Sequence, residues 1–348
     1  MSLSIRFLGT SASRPTVERN VSSLAVVREG ETLMFDCGEG TQRQMMRYGI
    51  SFALQDIFFT HLHADHVLGV IGLIRTMALQ GRAELLRLWG PNGANRLLRR
   101  AEGFGVERLG FPVEITEVVP GAAIPRKGYA ITPFDVDHGG AVALGFMLSE
   151  EDRRGRFDPD VARQLGIPEG PLWGRLHRGL AVELEDGRVI EPSVLVGPAR
   201  PGRHVVITGD TRPCNATVEA ARGADVLVHE ATFAEEEAAR ASETGHSTAR
   251  EAAEVAARAG VGTLLLTHFS ARYSRDTRVL EREAKAVFPR TLAVRDGLEF
   301  DVPFVAEPEQ GSVDPAAPSP SQAVGGGSPR PAAAPTSERT ADTGMDRR

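Results

Sequence analysis

Thr60-His61-Leu62-His63-Ala64-Asp65-His66 follows directly on the apolar run Ile57-Phe58-Phe59, and the fold turns on how this stretch is read. The run has the length and composition of a short buried strand. Beyond it Val67, Leu68, Val70, Ile71, Leu73, Ile74, Met77 and Ala78 recur at helical spacing, which predicts a helix from Val67 to Gln80. Four side chains able to bind a metal therefore sit on a strand-to-helix turn. His61 and His63 are two residues apart in extended or turn backbone, so their imidazoles can leave on the same side and share one ion. Asp65 and His66 diverge at the helix start and suit a second ion, close enough for one bridging water or hydroxide. A histidine beside a strand end is commonly structural, but three of the chain's nine stand in this one turn with an aspartate.

The pattern of an apolar strand delivering a polar residue recurs along the chain. Ala130 to Val136 runs into Asp137-His138-Gly139-Gly140, and His138 stands where a third ligand is needed. Val205-Val206-Ile207-Thr208 ends at Gly209-Asp210-Thr211, and the two oxygens of Asp210 can bridge two ions. Val226-Leu227-Val228 leads to His229-Glu230-Ala231-Thr232, and Leu264-Leu265-Leu266-Thr267 leads to His268. The ligands sort into His61, His63 and His138 on one ion and Asp65, His66 and His268 on the other, with Asp210 between them. Nitrogen-rich ligation with a few carboxylates favours zinc, two ions per subunit, with manganese as the alternative where oxygen ligands or water fill the remaining positions. Two neighbouring cations lower the pKa of a bridging water and stabilise charge on a phosphoryl group, which favours hydrolysis. Asp65 can accept that water's proton. His246, in Gly245-His246-Ser247-Thr248 ahead of an alanine-rich helix over Ala249 to Ala259, is not needed as a ligand. Paired with Glu230 it reads as the acid for a leaving 3′-oxygen; alone it reads as a residue packed beside that helix.

Bulk properties bound the rest. The chain has 348 residues, 41% hydrophobic and 25% charged, which is ordinary for a soluble globular enzyme. No stretch approaches ~20 uninterrupted apolar residues, and a strand-like Leu3-Ser4-Ile5-Arg6-Phe7-Leu8 opens the chain, so neither a membrane span nor a signal peptide is expected and the reading is cytoplasmic. Cys37 and Cys214 lie far apart and suggest no disulfide framework. A formal charge of −6 argues against indiscriminate nucleic-acid binding but allows a local basic patch. The loop Gly9 to Pro15 is an ordinary turn or a close approach of backbone to a ligand, and Asp36 at a strand end either orients a metal-binding histidine or caps a helix. Glu150 to His177 reads as an insertion whose arginines are balanced by acids; surface elaboration and a substrate arm are equally consistent with it. From 307 to 348 Pro, Ala, Gly and Ser dominate, which predicts a disordered tail.

The turn alone resembles the metallo-β-lactamase superfamily. Together with Phe7-Leu8-Gly9-Thr10-Ser11, Asp36-Cys37-Gly38-Glu39-Gly40-Thr41-Gln42, Gly170-Pro171-Leu172-Trp173-Gly174, Gly209-Asp210-Thr211-Arg212-Pro213 and His268-Phe269-Ser270-Ala271-Arg272-Tyr273, the chain resembles the ribonuclease Z family in its short form, endonucleases of tRNA 3′ processing. The resemblance implies a four-layer αββα sandwich over residues 1–306 with a tRNA-binding arm inserted at about 150–190. It implies a homodimer in which one subunit's arm clamps precursor tRNA while the partner cuts, leaving a 3′-hydroxyl on the tRNA and a 5′-phosphate on the trailer. Asp65 is then the proton acceptor, Glu230 with His246 the donor pair, and Arg272, Arg175 and Trp173 the candidate substrate contacts. A small-molecule hydrolase of the superfamily should lack the arm, and an RNA-binding scaffold with a vestigial site should have lost a ligand.

Overall fold

The computed structural model describes residues 2–105 and 109–304; the tail expected over 307–348 lies outside them. In chain order the first half supplies β1 (Leu3–Gly9), β2 (Ser23–Arg28), β3 (Glu31–Phe35), α1 (Thr41–Tyr48), β4 (Asp56–Phe58), α2 (Ala64–Val67), α3 (Gly69–Leu79), β5 (Leu86–Gly90), α4 (Ala94–Glu102) and β6 (Val113–Glu117). Next come β7 (Ile124–Arg126), β8 (Tyr129–Asp135), β9 (Leu144–Glu150), α5 (Pro159–Gln164), α6 (Pro171–His177), β10 (Val182–Glu183) and β11 (Val189–Ile190). The remainder is β12 (His204–Ile207), α7 (Asn215–Ala220), β13 (Val226–Glu230), α8 (Ala238–Thr244), α9 (Ala249–Ala259), β14 (Thr263–Thr267), α10 (Arg278–Val287), β15 (Thr291–Ala293) and β16 (Glu299–Asp301). Two seven-stranded sheets result, ordered β16-β1-β2-β3-β4-β5-β6 and β15-β14-β13-β12-β9-β8-β7.

Side-chain alternation explains the layering. Leu33 and Phe35 of β3 join the core between the sheets while Met34 faces the helices; Val205 and Ile207 of β12 face inward while Val206 faces out. Because both faces are covered, these strands read as unbroken apolar runs. Met45, Leu73, Met77 and Leu98 seat α1, α3 and α4 on the first sheet, and Ala252, Ala256, Leu280 and Ala284 seat α9 and α10 on the second. The architecture is the four-layer αββα sandwich that the resemblance implies.

Strand direction gathers the candidate ligands. β3, β4, β5 and β6 are mutually parallel, as are β12, β13, β14 and β15. β9 runs against β12 and β8 against β9, so β8 points the same way as β12 and ends, just before His138, on the same edge. One difference from the expected 67–80 helix is physical: α2 and α3 are separated at Leu68 because the Gly69 N–H donates to Cys37 O at 2.8 Å. The backbones touch here. A Cβ on Gly69 would lie 1.9 Å from Gly38 O, so glycine is needed for the strand end to dock on the turn.

The opposite edge is pinned by buried charge. Glu150 on β9 accepts from Arg28 Nε of the other sheet at 2.8 Å and from Arg203 Nε at 2.7 Å. Asp56 on β4 is fully buried and accepts from Arg87 of its own sheet and Arg126 of the other, and from Trp89 Nε1 at 2.7 Å.

Between β9 and β12 the chain leaves the sandwich and builds a small core of its own from Ala162, Ile167, Leu176, Val182, Leu184, Ile190 and Leu195. Its stem is closed by the pairings Arg153↔Arg200 and Phe157↔Val196, so the inserted unit extends beyond His177 and takes in the short hairpin of β10 and β11.

Burial opposes ionisation of Asp56, but its hydrogen bonds from Arg87 and Trp89 and the charge of Arg126 outweigh it and hold its pKa below the ordinary value. Asp56→Ala, which strands three donors, should cost about 3 kcal/mol in denaturant unfolding at pH 7. A depressed folded pKa means the carboxylate's contribution is complete above the unfolded value of about 3.9 and is lost as pH falls through the lower folded value, so the difference between wild type and variant should shrink in acid.

Candidate metal centre

Asp36, at the end of β3, organises the turn. Its backbone is left-handed (φ 57°), and it accepts from Thr60 N and Thr60 Oγ1, each at 2.8 Å, and from His66 Nδ1–H at 2.7 Å. Of the two roles open for Asp36, orienting the histidine is the one seen; the α1 cap position is Gly40. Every other buried ligand candidate is also held by its far nitrogen, as metal-binding imidazoles require. His61 Nδ1 meets Thr60 Oγ1 at 3.1 Å, His138 Nδ1–H donates to Gly245 O at 2.8 Å, and His268 Nδ1 meets Thr232 Oγ1 at 2.9 Å. Sequence assigns no role to Thr60, Thr232 or the Gly245 carbonyl; the only signal is that the threonines flank chemistry-bearing residues at strand ends.

The free nitrogens converge in two sets. In the first, His138 Nε2 lies 3.2 Å from His63 Nδ1, and Asp210 Oδ2 lies 3.6 Å from His61 Nε2 and 3.9 Å from His138 Nε2. In the second, His66 Nε2 and His268 Nε2 are 3.4 Å apart and lie 3.6 Å and 3.4 Å from Asp65 Oδ2. Asp210 Oδ1 approaches the second set, 3.2 Å from His268 Nε2 and 3.4 Å from His66 Nε2. Donors about 2.1 Å from a tetrahedral zinc stand roughly 3.4 Å apart, so both sets have the dimensions of an ion's shell. Two buried atoms within them, His61 Nε2 and Asp210 Oδ1, have no hydrogen-bond partner among the described residues. A cation would satisfy both. His61, His63, His138 and Asp210 can thus hold one ion and Asp65, His66 and His268 another.

The electrostatics agree with this. Burial, then the neighbouring His66, push the His61 pKa well below the ordinary value, and burial, then His138, lower that of His63. Burial opposes the charge on Asp210, but His268, His66 and His61 outweigh it and keep the carboxylate ionised. Asp65 is likewise held low: burial opposes, and the His268 hydrogen bond prevails. Its Oδ2 also accepts from Ser13 N at 2.7 Å, which brings the Gly9–Pro15 loop against the second set.

His246 stands beside the two sets with Nδ1 2.8 Å from Glu230 Oε1. Glu230 is buried and further fixed by Thr211 N at 2.9 Å and Thr232 Oγ1 at 2.5 Å. Burial works against a charged His246, yet the Glu230 carboxylate overrides it and raises the pKa to about 9. His229, beside Glu230 in sequence, faces away: it is fully buried, its Nδ1 bonds Glu230 O, and burial lowers its pKa. Cys37 and Cys214 are free thiols, and burial pushes Cys37 up to about 12. Of the remaining candidates, Arg272 is exposed and ion-paired with Glu237. Trp173 lies in the inserted unit, where its Nε1 donates to Ile167 O at 3.1 Å and its ring packs 5.3 Å from that of Phe157, a packing role that sequence could not separate from stacking on substrate. Arg175, on the same helix, is exposed.

Comparisons with known proteins agree with this geometry. Residues 3–100 match the family described as Anti-Pycsar protein Apyc1, and residues 192–269 the Beta-lactamase superfamily domain. The chain is 64% identical over 308 residues to Ribonuclease Z of Gemmatimonas aurantiaca, covering 88% of this chain and 98% of that one. It is 53% identical over 303 residues to Ribonuclease Z of Myxococcus xanthus, covering 87% and 98%. Among solved structures it is similar to human tRNase Z, short form, with TM-score 0.63 and 25% identity over 86% of this chain and 99% of that chain. The metallo-beta-lactamase fold protein YhfI from Bacillus subtilis, at TM-score 0.61 and 18% identity over 86% and 99%, shares the fold.

If Glu230 is what raises His246, then Glu230→Gln should lower the His246 pKa by about one unit or more, because burial is then left unopposed by that charge. NMR titration of the imidazole in metal-free protein reads this directly; an unchanged pKa would assign the shift elsewhere.

Proposed function

Because this chain belongs to the ribonuclease Z family of endoribonucleases, we propose that it removes the 3′ trailer from precursor tRNA by hydrolysing one phosphodiester. In this reading the tRNA keeps a 3′-hydroxyl and the trailer a 5′-phosphate. The observation that carries it is the single Asp210 carboxylate facing both donor sets, with an acid–base pair of Glu230 and His246 alongside. His61, His63 and His138 would hold one zinc ion and Asp65, His66 and His268 a second, with Asp210 shared; manganese is the alternative metal. Bound zinc supplies charge that acidifies a water and offsets the negative charge growing on the phosphoryl oxygens.

The chain's own groups do the remaining work. Asp65, kept ionised and steered by the Ser13 amide, accepts the proton of the attacking water. His246 holds a proton against Glu230 near neutrality and delivers it to the departing 3′-oxygen of the tRNA. The unit between β9 and β12 is the tRNA-binding arm. Trp173 and Phe157 stiffen it, and Arg175 with Arg178, both exposed, meet backbone phosphates. Arg272 contacts substrate from the loop beyond His268. The enzyme acts as a homodimer in which the arm of one subunit holds the tRNA cut by the other; a core separate from the sandwich supports such a role. No helix among the described residues is long and apolar enough to cross a membrane, and the reading puts the enzyme in the cytoplasm.

The deciding assay is cleavage of a 3′-extended precursor tRNA by metal-stripped and by zinc- or manganese-loaded protein, with the cut mapped to the nucleotide. Intact tRNA beside fast hydrolysis of small esters would overturn the reading. Asp65→Ala should reduce the rate by about 10³-fold while tRNA still binds. Residues 157–196 can be replaced by a short linker because Phe157 and Val196 are paired across the stem. That excision should weaken tRNA binding and leave hydrolysis of a small phosphodiester in place; unchanged tRNA processing would show that the unit is no arm.

A further inference from the structure

A pocket of about 340 Å³ opens beside the metal centre, walled on one side by His61 and His63. Its far wall is α4, which contributes Arg96 and Arg100. These arginines are one helical turn apart, so they lie on one face about 5–6 Å from each other at Cβ. Both are exposed, and neither has a carboxylate or carbonyl partner among the described residues. Arg99 between them is different: it bonds Glu102 and the Val113 carbonyl. The opposite face of α4 carries the burial, through Ala94, Leu98 and Ala101, so folding does not require the two cations. The pocket also presents apolar surface from Leu62, Leu97 and Val142, the last 58% exposed. Unpaired guanidinium groups beside a small apolar wall suit a nucleotide, with the phosphate on the arginines and the flat face of the base on the wall.

We propose that this pocket receives the trailer immediately beyond the cut, and that Arg96 and Arg100 are positioning residues which grip the first phosphate after the scissile one. The inference rests on the precursor-tRNA reading. The leaving 3′-oxygen belongs to the tRNA and faces His246, whose ring stands 5.0 Å from that of His138 and 5.4 Å from that of His268 and lines no part of this pocket. The trailer therefore departs away from His246, past His63, the exposed histidine that lines this pocket. Contact through phosphate and a base face reads no sequence, which suits a trailer that differs from one tRNA to the next.

The test compares wild type with the double variant Arg96→Ala, Arg100→Ala on precursor tRNAs carrying trailers of one, two and six nucleotides. A one-nucleotide trailer has only the scissile phosphate; longer ones add the phosphate the arginines would hold. In wild type kcat/KM should rise from one to two nucleotides by about tenfold, the worth of a charge-assisted phosphate contact. In the variant that rise should disappear, and the salt dependence on the six-nucleotide trailer should be shallower by about 0.7 for each phosphate no longer neutralised by an arginine. Arg96→Lys with Arg100→Lys should restore part of the rise, since charge is kept. An undiminished rise in the variant, or an equal fall in rate on all three trailers, overturns the assignment. Failure of the wild type to cut any of the three overturns the precursor-tRNA reading instead.

Discussion

One buried carboxylate serving two sets of nitrogens is the constraint on which the rest depends. Asp210 turns Oδ2 toward His61 and His138 and Oδ1 toward His66 and His268, and it is 3% exposed. Those partners come from both sheets, so the sandwich must hold its two halves at a fixed separation and register. A one-residue slip of β12 would turn the residues after Ile207 to the opposite face. Registers with β9 and β13, and the ion pairs that Glu150 and Asp56 make across the far edge, oppose such a slip. The two edges of the sandwich thus divide the labour: charge at one end fixes the spacing, and the chemistry at the other uses it.

Around Asp210 the protein solves a packing problem of like groups. Six imidazoles crowd the edge, with ring centroids of neighbours such as His61 and His66 only 4.1 Å apart, and they cannot all be charged. Burial and mutual repulsion keep His61 and His63 neutral, while carboxylates decide where protons stay. Thr60 and Thr232 perform the same task just beyond the ends of β4 and β13. Each hydroxyl sits between an imidazole Nδ1 and a buried carboxylate, Asp36 in one case and Glu230 in the other. This fixes the tautomer that leaves Nε2 facing the centre. Glu230 then has a second use, because the same carboxylate that steadies Thr232 also raises His246.

The inserted unit follows other rules. Its apolar cluster is small and its outer faces are charged, with Arg163 tied to Asp160 and Glu169 and Arg188 tied to Asp186. Such exposed pairs add little stability. What they do is sort the arginines, since those already matched to acids are less available to phosphate than Arg175 and Arg178. The overall charge balance of the segment therefore conceals an uneven surface. The same sorting appears on α4, where Arg99 bonds Glu102 and, among the described residues, Arg96 and Arg100 have no such partner.

The sequence by itself determined the strand-then-ligand grammar and with it the fold. Short apolar runs followed within three residues by His, Asp or Glu are legible because strand periodicity and ligand type are both local properties. The seven candidate ligands, Asp65 among them, and Glu230 are readable for that reason, His246 is readable as the histidine that ligation leaves over, and the motifs around them carry the family. Tertiary structure alone decided what each residue touches. What Asp36 holds, what Trp173 Nε1 bonds and what the Gly9–Pro15 loop approaches are questions about partners 6 to 52 positions away. The helix expected as one piece over 67–80 is two, because a glycine 31 residues from Gly38 must meet its backbone. Sequence spacing records which faces are apolar and which residues can bind; it does not record distance between segments, and hydrogen bonds, pKa values and pockets are all functions of distance.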